Sequence, residues 1–171
     1  GRRVRLEVTG PLGLPKDASI LVVDGTAYVE SAEACGLHLV PVELRDPVRA
    51  TTYGVGELIA AAVREGVARV VVGLGGSATN DAGIGMLAAL GATAEGAEGN
   101  DVTALLAEGA SALRSVLSVD LAPARAAVAG VELVLASDVD NPLLGLRGAA
   151  NGFARQKGAD DGAVMELEGT L

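Results

Sequence analysis

The fold is decided by one stretch near the middle of the chain, Val70-Val71-Val72-Gly73-Leu74-Gly75-Gly76-Ser77-Ala78-Thr79-Asn80-Asp81-Ala82-Gly83-Ile84-Gly85-Met86-Leu87-Ala88-Ala89-Leu90-Gly91. It opens with a β-branched run typical of a buried strand, and glycines break that run before apolar residues at helical spacing begin at Ile84. The stretch therefore predicts a strand, a glycine-rich loop and a helix, in that order.

The loop of this unit carries residues that favour ligand binding. Gly75 and Gly76 allow a close approach to the backbone or a positive φ. Side-chain oxygens follow around the predicted helix start, at Ser77, Thr79, Asn80 and Asp81. Such a loop can hold a phosphate or position a hydroxyl, but a plain tight turn with a good N-cap has the same residues. Spacing alone leaves both interpretations open.

Composition narrows the class of protein. Half of the 171 residues are apolar, which predicts one domain with a core of Val, Leu, Ile and Ala. The net charge of −9 and the scattering of the 13 basic residues argue against a nucleic-acid surface. The lone Cys35 excludes an intrachain disulfide and, with the lone His38, gives no metal-ligand spacing. Because the apolar stretches are also too short to span a membrane, we expect a cytoplasmic protein without membrane or nucleic-acid partners.

Local patterns predict an antiparallel opening to the fold. Apolar and polar residues alternate over 4–9, as in a half-buried strand. A second strand over 19–23 runs into Asp24-Gly25, a pair that favours a two-residue hairpin turn with an antiparallel return over 26–29. The chain therefore begins with a meander.

Helices and strands alternate in the remainder. Apolar residues at helical spacing over 58–63 precede Gly66, a typical helix end, and a second buried strand is predicted over 131–136. The predicted fold class is α/β, a mixed sheet with an antiparallel opening meander and flanking helices. Five further expectations are an extended segment at 37–41, an exposed loop at 94–100, one or two short helices over 104–117 with Gly109 between them, a polar loop at 145–158 and an amphipathic helix at 159–171.

Two polar segments are further candidates for a site. Asp138, Asp140 and Asn141 follow the predicted strand 131–136, where their oxygens can ligate Mg²⁺ or bind a hydroxylated substrate. An Asx-turn before Pro142 explains the same residues. The basic cluster at 155–157 can clamp phosphates or can be an ordinary solvated surface.

A dinucleotide fingerprint is only weakly matched. Gly73, Gly75 and Ala78 fit G-x-G-x-x-A, but the acidic residues about 20 positions later, Glu95 and Glu98, fall in the predicted loop. No Walker sequence is present. The sequence therefore gives little support to a dinucleotide-dependent oxidoreductase.

Seven blocks, taken together and in order, resemble the type I (bacterial) glycerate kinase family across nearly the whole chain. They are Val8-Thr9-Gly10-Pro11-Leu12-Gly13, the segment 30–37 ending in Ala34-Cys35-Gly36-Leu37, Arg45-Asp46-Pro47, Thr51-Thr52-Tyr53-Gly54-Val55-Gly56-Glu57-Leu58-Ile59, the segment 75–81, the segment 138–143 and Gln156-Lys157-Gly158-Ala159. The resemblance implies ATP-dependent transfer of the γ-phosphoryl group to a hydroxyl of glycerate, with Mg²⁺, in a cleft between two α/β domains.

The resemblance also implies which part of such an enzyme the chain represents. Residues 1–171 match the central inserted domain, the smaller of the two, so that the N- and C-terminal segments forming the other domain are absent. On this interpretation the chain contributes one wall of the interdomain cleft and is inactive alone. The alternative is an isolated non-catalytic module that binds an anion or substrate, or that associates with itself as a homo-oligomer.

Roles for individual residues come from the same resemblance. Asp81 and Asp138 are the implied catalytic carboxylates, with Mg²⁺ on Asp138, and the helix start after the glycine loop is expected to help hold the ligand. The residues implied to bind glycerate or the phosphoryl group are Gly75, Gly76, Ser77, Ala78, Thr79, Asn80, Asn141 and Lys157.

Two departures from the family's pattern bear on these assignments. Ala82 stands where the family usually has glycine, which is unfavourable if the position needs a positive φ. Ala154-Arg155 replaces a Gly-Pro pair just before Gln156-Lys157, a change able to reshape that loop.

Overall fold

The computed structural model describes residues 1–171. Seven strands run over Arg2–Thr9 (β1), Pro15–Val23 (β2), Thr26–Glu30 (β3), Arg69–Gly73 (β4), Thr93–Glu95 (β5), Ser118–Asp120 (β6) and Glu132–Ala136 (β7). Six α-helices span Ala32–Cys35 (α1), Tyr53–Arg64 (α2), Ile84–Ala89 (α3), Ala122–Ala127 (α4), Ala149–Phe153 (α5) and Asp161–Thr170 (α6). Short 3₁₀ helices lie at Leu37–Leu39, Val42–Leu44, Ala97–Gly99, Thr103–Glu108, Ala110–Ser115 and Arg155–Lys157.

The main sheet is mixed, as predicted, with the strand order β1-β2-β3-β4-β7. The first three strands are antiparallel, and the turn between β2 and β3 places Asp24 and Gly25 at φ values of 46° and 74°. β4 then lies parallel to both β3 and β7. Because parallel strands end at the same edge of a sheet, the segments that follow β3, β4 and β7 converge there.

Helix α2 covers one face of this sheet and makes two close contacts through glycines. Leu58 and Ile59 are fully buried against Val70 and Val72 of β4 in the main core. A Cβ at Gly54 would lie 2.0 Å from the carbonyl oxygen of Thr9, and one at Gly56 would lie 2.3 Å from that of Met86. Glycine therefore lets α2 touch both β1 and α3.

The opposite face of the sheet carries an apolar row in its centre. Leu21, Tyr28, Val71 and Val134 are paired across four neighbouring strands. Leu21 and Tyr28 stay 42% and 48% exposed. Parallel strands such as β3, β4 and β7 are usually covered on both faces, so this row is a surface suited to contact with further polypeptide.

Three sequence expectations are wrong. The predicted exposed loop at 94–100 begins with β5, which pairs antiparallel with β6, and Ala94 is buried against Ile84 and Leu106. The segment 37–41 begins as a 3₁₀ helix rather than an extended chain, and the polar loop at 145–158 contains α5 and a 3₁₀ helix. In each case the contacts that decide the conformation come from residues distant in sequence, which local patterns do not record.

Other local expectations hold. The short helices predicted on either side of Gly109 are the two 3₁₀ helices at Thr103–Glu108 and Ala110–Ser115. The terminal helix is α6, with Asp160 at its N-cap accepting a hydrogen bond from the amide of Ala163. No helix combines the length and apolar composition needed to cross a membrane.

Ala82→Gly is expected to raise the free energy of unfolding by about 1 kcal/mol. Ala82 has a φ of +53°, in the left-handed region that an L-alanine occupies only at a cost, and its side chain is exposed. Urea denaturation monitored by circular dichroism measures the difference.

The neighbouring glycine provides the matched control for that substitution. Gly83 has a φ of +76°, so Gly83→Ala is expected to lower the free energy of unfolding by about 1 kcal/mol. A neutral or destabilising Ala82→Gly would mean that the alanine is not strained.

Candidate functional site

Two adjoining cavities lie where the segments after β3, β4 and β7 converge. The inner cavity has a volume of about 350 Å³ and the outer one about 430 Å³. Leu74, Ser77, Phe153 and Lys157 line both. Six other predicted site residues divide between them: Thr79, Asn80 and Asp81 line the inner cavity, and Gly75, Gly76 and Asp138 line the outer one.

Lys157 is the basic residue common to both cavities. It ends the 3₁₀ helix Arg155–Lys157 and is only 8% exposed. Its ammonium group donates to the Ser77 hydroxyl at 3.1 Å and, in a short hydrogen bond, to the carbonyl oxygen of Thr79. Burial lowers the pKa of Lys157 to about 8, against the opposing charges of Cys35 and Asp81.

The departure from the family's pattern before Lys157 does not displace this side chain from the cavities. Ala154 is fully buried in a second core cluster with Val48, Ala150 and Val164. That packing fixes the position of α5 and of the 3₁₀ helix after it, and therefore of the backbone that carries Lys157. The second core cluster therefore supports the site, a function that the sequence pattern did not reveal.

Asp81 joins the beginnings of two helices. One carboxylate oxygen accepts hydrogen bonds from the amide and hydroxyl of Thr52, both at 2.8 Å, and from the amide of Gly85 at 3.4 Å. The other accepts from the amide of Gly83 at 3.0 Å. Burial raises the pKa of Asp81, and the hydrogen bonds from Thr52, Gly83 and Gly85 oppose that rise. Asp81 therefore fixes the glycine loop against the start of α2.

The predicted contribution of the helix start after this loop to ligand binding is wrong. The helix, α3, has only six residues, and the amides of Gly83 and Gly85 are bound by Asp81. The amide of Met86 donates to the Thr52 hydroxyl at 2.9 Å. Since these donors are satisfied within the chain, none is free for an anion.

Free donors lie earlier in the loop, in the outer cavity. The backbone N–H groups of Gly75, Gly76 and Ser77 donate no hydrogen bond within the chain. Gly76 has a φ of +70°, and a Cβ added at Gly75 would meet no atom within 4 Å, so a ligand has access to this backbone. Three successive amides without a partner and Lys157 line the same cavity, a combination suited to an anion.

Two loop residues expected to contact a ligand are occupied by the protein itself. Ala78 lines neither cavity and packs with Val40 and Ala50. The Thr79 hydroxyl donates to the carbonyl oxygen of Ala50 at 2.6 Å and accepts from the amide of Asp81 at 3.0 Å. Both residues therefore position the loop rather than offer a free group to a ligand.

Asp138 and Asn141 differ in their relation to the cavities. Asp138 is exposed and lines the outer cavity with Gly75, Gly76 and Ser77. Asn141 lines neither cavity, and its side-chain amide donates to the carbonyl oxygen of Arg147 at 3.1 Å. No three His, Cys, Asp or Glu side chains are grouped so as to share a metal ion.

With this geometry established, comparison with known proteins identifies the family. A sequence profile of the Glycerate kinase family matches residues 1–171. The chain belongs to the glycerate kinase family. Its two cavities therefore belong to a glycerate kinase fold, as the resemblance of the seven blocks implied.

Individual relatives of this chain are considerably longer. It is 46% identical over 161 residues to a glycerate kinase of Bacillus subtilis (strain 168), covering 93% of this chain and 41% of that protein. It is 42% identical over 166 residues to glycerate 2-kinase of Escherichia coli (strain K12), covering 96% and 42%. A crystal structure assigned as glycerate kinase 2 from Salmonella typhimurium LT2 matches with a TM-score of 0.92 at 41% identity, covering 99% of this chain and 45% of that one. The chain spans less than half the length of these relatives.

Sequence reasoning missed several residues that line the inner cavity, among them Ser31, Cys35, Thr52 and Phe153. All except Phe153 lie within the seven blocks that resemble the family, and that location is the feature of the sequence that could have indicated them as site residues. Of these residues, Cys35 is 1% exposed and packs within the main core. Burial, followed by the charge of Asp81, raises the pKa of its thiol to about 12, which makes it a poor nucleophile.

The buried lysine predicts a pH dependence of stability. Between about pH 8 and 10.5 the unfolded chain keeps a proton on Lys157 that the folded chain has released, so the free energy of unfolding rises with pH. Relative to Lys157→Met, the expected gain across this window is about 3 kcal/mol. Urea denaturation at several pH values measures it. The Cys35 thiol, which acts in the opposite direction above pH 9, is common to both proteins, and parallel pH profiles would contradict the expectation.

Proposed function

We propose that the chain is the central, smaller domain of an ATP-dependent glycerate kinase, and that its two cavities form one wall of the cleft in which the phosphoryl group reaches a hydroxyl of glycerate. Its membership of the family supports the reaction, and its span of less than half of each relative supports the division into domains. The expected product is 2-phosphoglycerate, because the Escherichia coli relative is named glycerate 2-kinase.

The observation that carries this proposal is the buried ammonium group of Lys157 beside free hydrogen-bond donors. In a chain with a net charge of −9, an 8% exposed lysine is costly unless its charge is used. Its partners, the Ser77 hydroxyl and the Thr79 carbonyl oxygen, are uncharged. An anionic ligand in either cavity would supply the direct counter-charge that neither hydrogen-bond partner of the ammonium group provides.

Each group has a role that suits phosphoryl transfer, in which a protein mainly positions reactants and neutralises charge. Lys157 and the Ser77 hydroxyl bind the glycerate carboxylate from the inner cavity. The amides of Gly75, Gly76 and Ser77 hold phosphoryl oxygens in the outer cavity. Asn80 binds a substrate hydroxyl.

The two carboxylates have different roles in this proposal. Asp81, whose oxygens already accept four hydrogen bonds, positions the loop. Asp138 is exposed at the outer cavity and is the one free to contact the attacking hydroxyl or Mg²⁺. Asn141, bonded to Arg147 outside both cavities, has the least support among the predicted ligands.

The donor set suits a magnesium nucleotide rather than a metal held by the protein alone. Mg²⁺ is usually bound through one or two carboxylates together with phosphate oxygens, and Asp138 offers one such carboxylate. ATP supplies the phosphoryl group and most ligands of its metal. The rest of the nucleotide site is assigned to the other domain.

Kinase assays test the proposal. We expect glycerate-dependent ADP release from a polypeptide of the relatives' full length and none from the 171-residue chain. In the longer enzyme, Asp138→Asn and Ser77→Ala are each expected to lower kcat/KM for glycerate by at least about tenfold. Unchanged kcat/KM in both variants would refute the site. Sedimentation of the short chain tests the alternative, a self-associating module, which predicts dimers through the Leu21–Tyr28 face.

A further inference from the structure

The inner cavity contains two buried polar atoms without a hydrogen-bond partner. They are the hydroxyl oxygen of Ser31, a residue 4% exposed, and the side-chain carbonyl oxygen of Asn80, a residue 7% exposed. Buried polar side chains nearly always have a hydrogen-bond partner, because an unpaired group loses its hydrogen bonds to water and gains none in the protein. Two such atoms in one cavity indicate that a ligand supplies their hydrogen-bond partners.

The surroundings of both residues fix which atom is left for a ligand. The side-chain N–H₂ group of Asn80 donates to the carbonyl oxygen of Ala149 at 3.1 Å, so its Oδ1 is the free acceptor. The backbone N–H of Ser31 donates to the carbonyl oxygen of Gly73 at 3.0 Å, at the end of β4. Its hydroxyl caps no amide of α1, although the residue stands at that helix start.

These atoms match the chemistry of an alcohol. One ligand hydroxyl can donate to Asn80 Oδ1, and a second can accept a hydrogen bond from Ser31 Oγ. The same cavity contains Lys157 and the Ser77 hydroxyl, which suit a carboxylate. We infer that Ser31, together with Asn80, selects short carboxylic acids that carry two hydroxyl groups over analogues that lack one.

This inference rests on the proposed function and adds to it a specificity-determining residue, Ser31. A ligand without the matching hydroxyl would leave a buried polar group unpaired, and unpaired groups are the usual source of strong rejection of deoxy analogues. Lactate lacks the 3-hydroxyl of glycerate, and 3-hydroxypropanoate lacks the 2-hydroxyl. The two analogues therefore report on each position in turn.

Isothermal titration of the 171-residue chain with the three acids tests the inference. The unmodified chain is expected to prefer glycerate over each analogue by at least about tenfold. Ser31→Ala should bring the affinity for glycerate to within about threefold of that for one analogue, and Ser31→Thr, which keeps the hydroxyl, should restore most of the preference. Ser115→Ala, an exposed serine far from the cavity, is the matched control.

A second readout separates selection from a merely structural role. Because Ser31→Ala removes an unpaired buried hydroxyl, its Tm without ligand is expected to equal or exceed that of the unmodified chain. The inference is overturned if Ser31→Ala keeps the full preference for glycerate, an outcome that leaves the proposed function standing. If the acids bind only when the second domain is present, inhibition constants of both analogues in the full-length enzyme give the same affinity ratios. Both the inference and the proposed function would be overturned if glycerate were not a substrate of that enzyme.

Discussion

Lys157→Met in the full-length enzyme is expected to lower kcat/KM for glycerate by about 10²- to 10³-fold. Methionine keeps the length and most of the volume of the side chain but removes the ammonium group. That group is the only positive charge lining either cavity, and it binds the Ser77 hydroxyl. Steady-state assays of ADP release with glycerate and ATP measure the loss.

The chain contains one other lysine, which makes the control direct. Lys16 lies on β2, and Lys16→Met is expected to change kcat/KM by less than about twofold. If Lys157→Met retained the activity of the unmodified enzyme, neutralisation of charge by this lysine would be excluded. The cavities would then have to bind their ligand through uncharged donors alone.

Asp81→Asn is expected to lower the free energy of unfolding by about 3 kcal/mol. The substitution turns one acceptor oxygen into an N–H₂ group that faces backbone donors. If the N–H₂ group replaces Oδ2, Thr52 at the start of α2 and Gly85 at the start of α3 lose their acceptor; if it replaces Oδ1, Gly83 loses its acceptor. Either orientation leaves a buried donor facing another donor and removes the carboxylate charge that four hydrogen bonds stabilise, which explains the expected size of the effect.

Asp138→Asn is the matched substitution for a carboxylate with the opposite role. Asp138 is exposed, so the free energy of unfolding is expected to change by less than about 0.5 kcal/mol while kcat/KM falls. Urea denaturation of both variants, beside the kinase assay, separates the two carboxylates. An Asp81→Asn variant of normal stability and lost activity would make Asp81 a catalytic residue instead of a positioning one.

The sheet could be predicted where the signal is local. The β-branched run of β4 and the Asp24-Gly25 turn each determine their own conformation, so the opening meander and the central unit were predicted correctly. The pairing of β5 with β6 could not be foreseen. Each strand has three residues, too few for a periodic pattern, and the pair is stabilised by burial of Ala94 against Leu106.

The site depends even more on distant contacts. The hydrogen bond between Lys157 and Ser77 joins residues 80 positions apart, and only the family resemblance connected them in advance. No local pattern indicates that Thr52 binds Asp81, 29 positions away, or that this carboxylate occupies the amides at the start of α3. The expectation that the start of α3 helps to hold the ligand is therefore wrong, because its backbone donors are already bound by Asp81 and Thr52.

The close packing of α2 has a consequence for how relatives of this chain are recognised. Gly54 and Gly56 belong to one of the seven blocks that resemble the family, yet neither lines a cavity. Their lack of a side chain is required by the carbonyl oxygens of Thr9 and Met86. Part of the sequence signature by which such proteins are recognised therefore reflects steric limits on helix packing. It would persist in a descendant that had lost the activity.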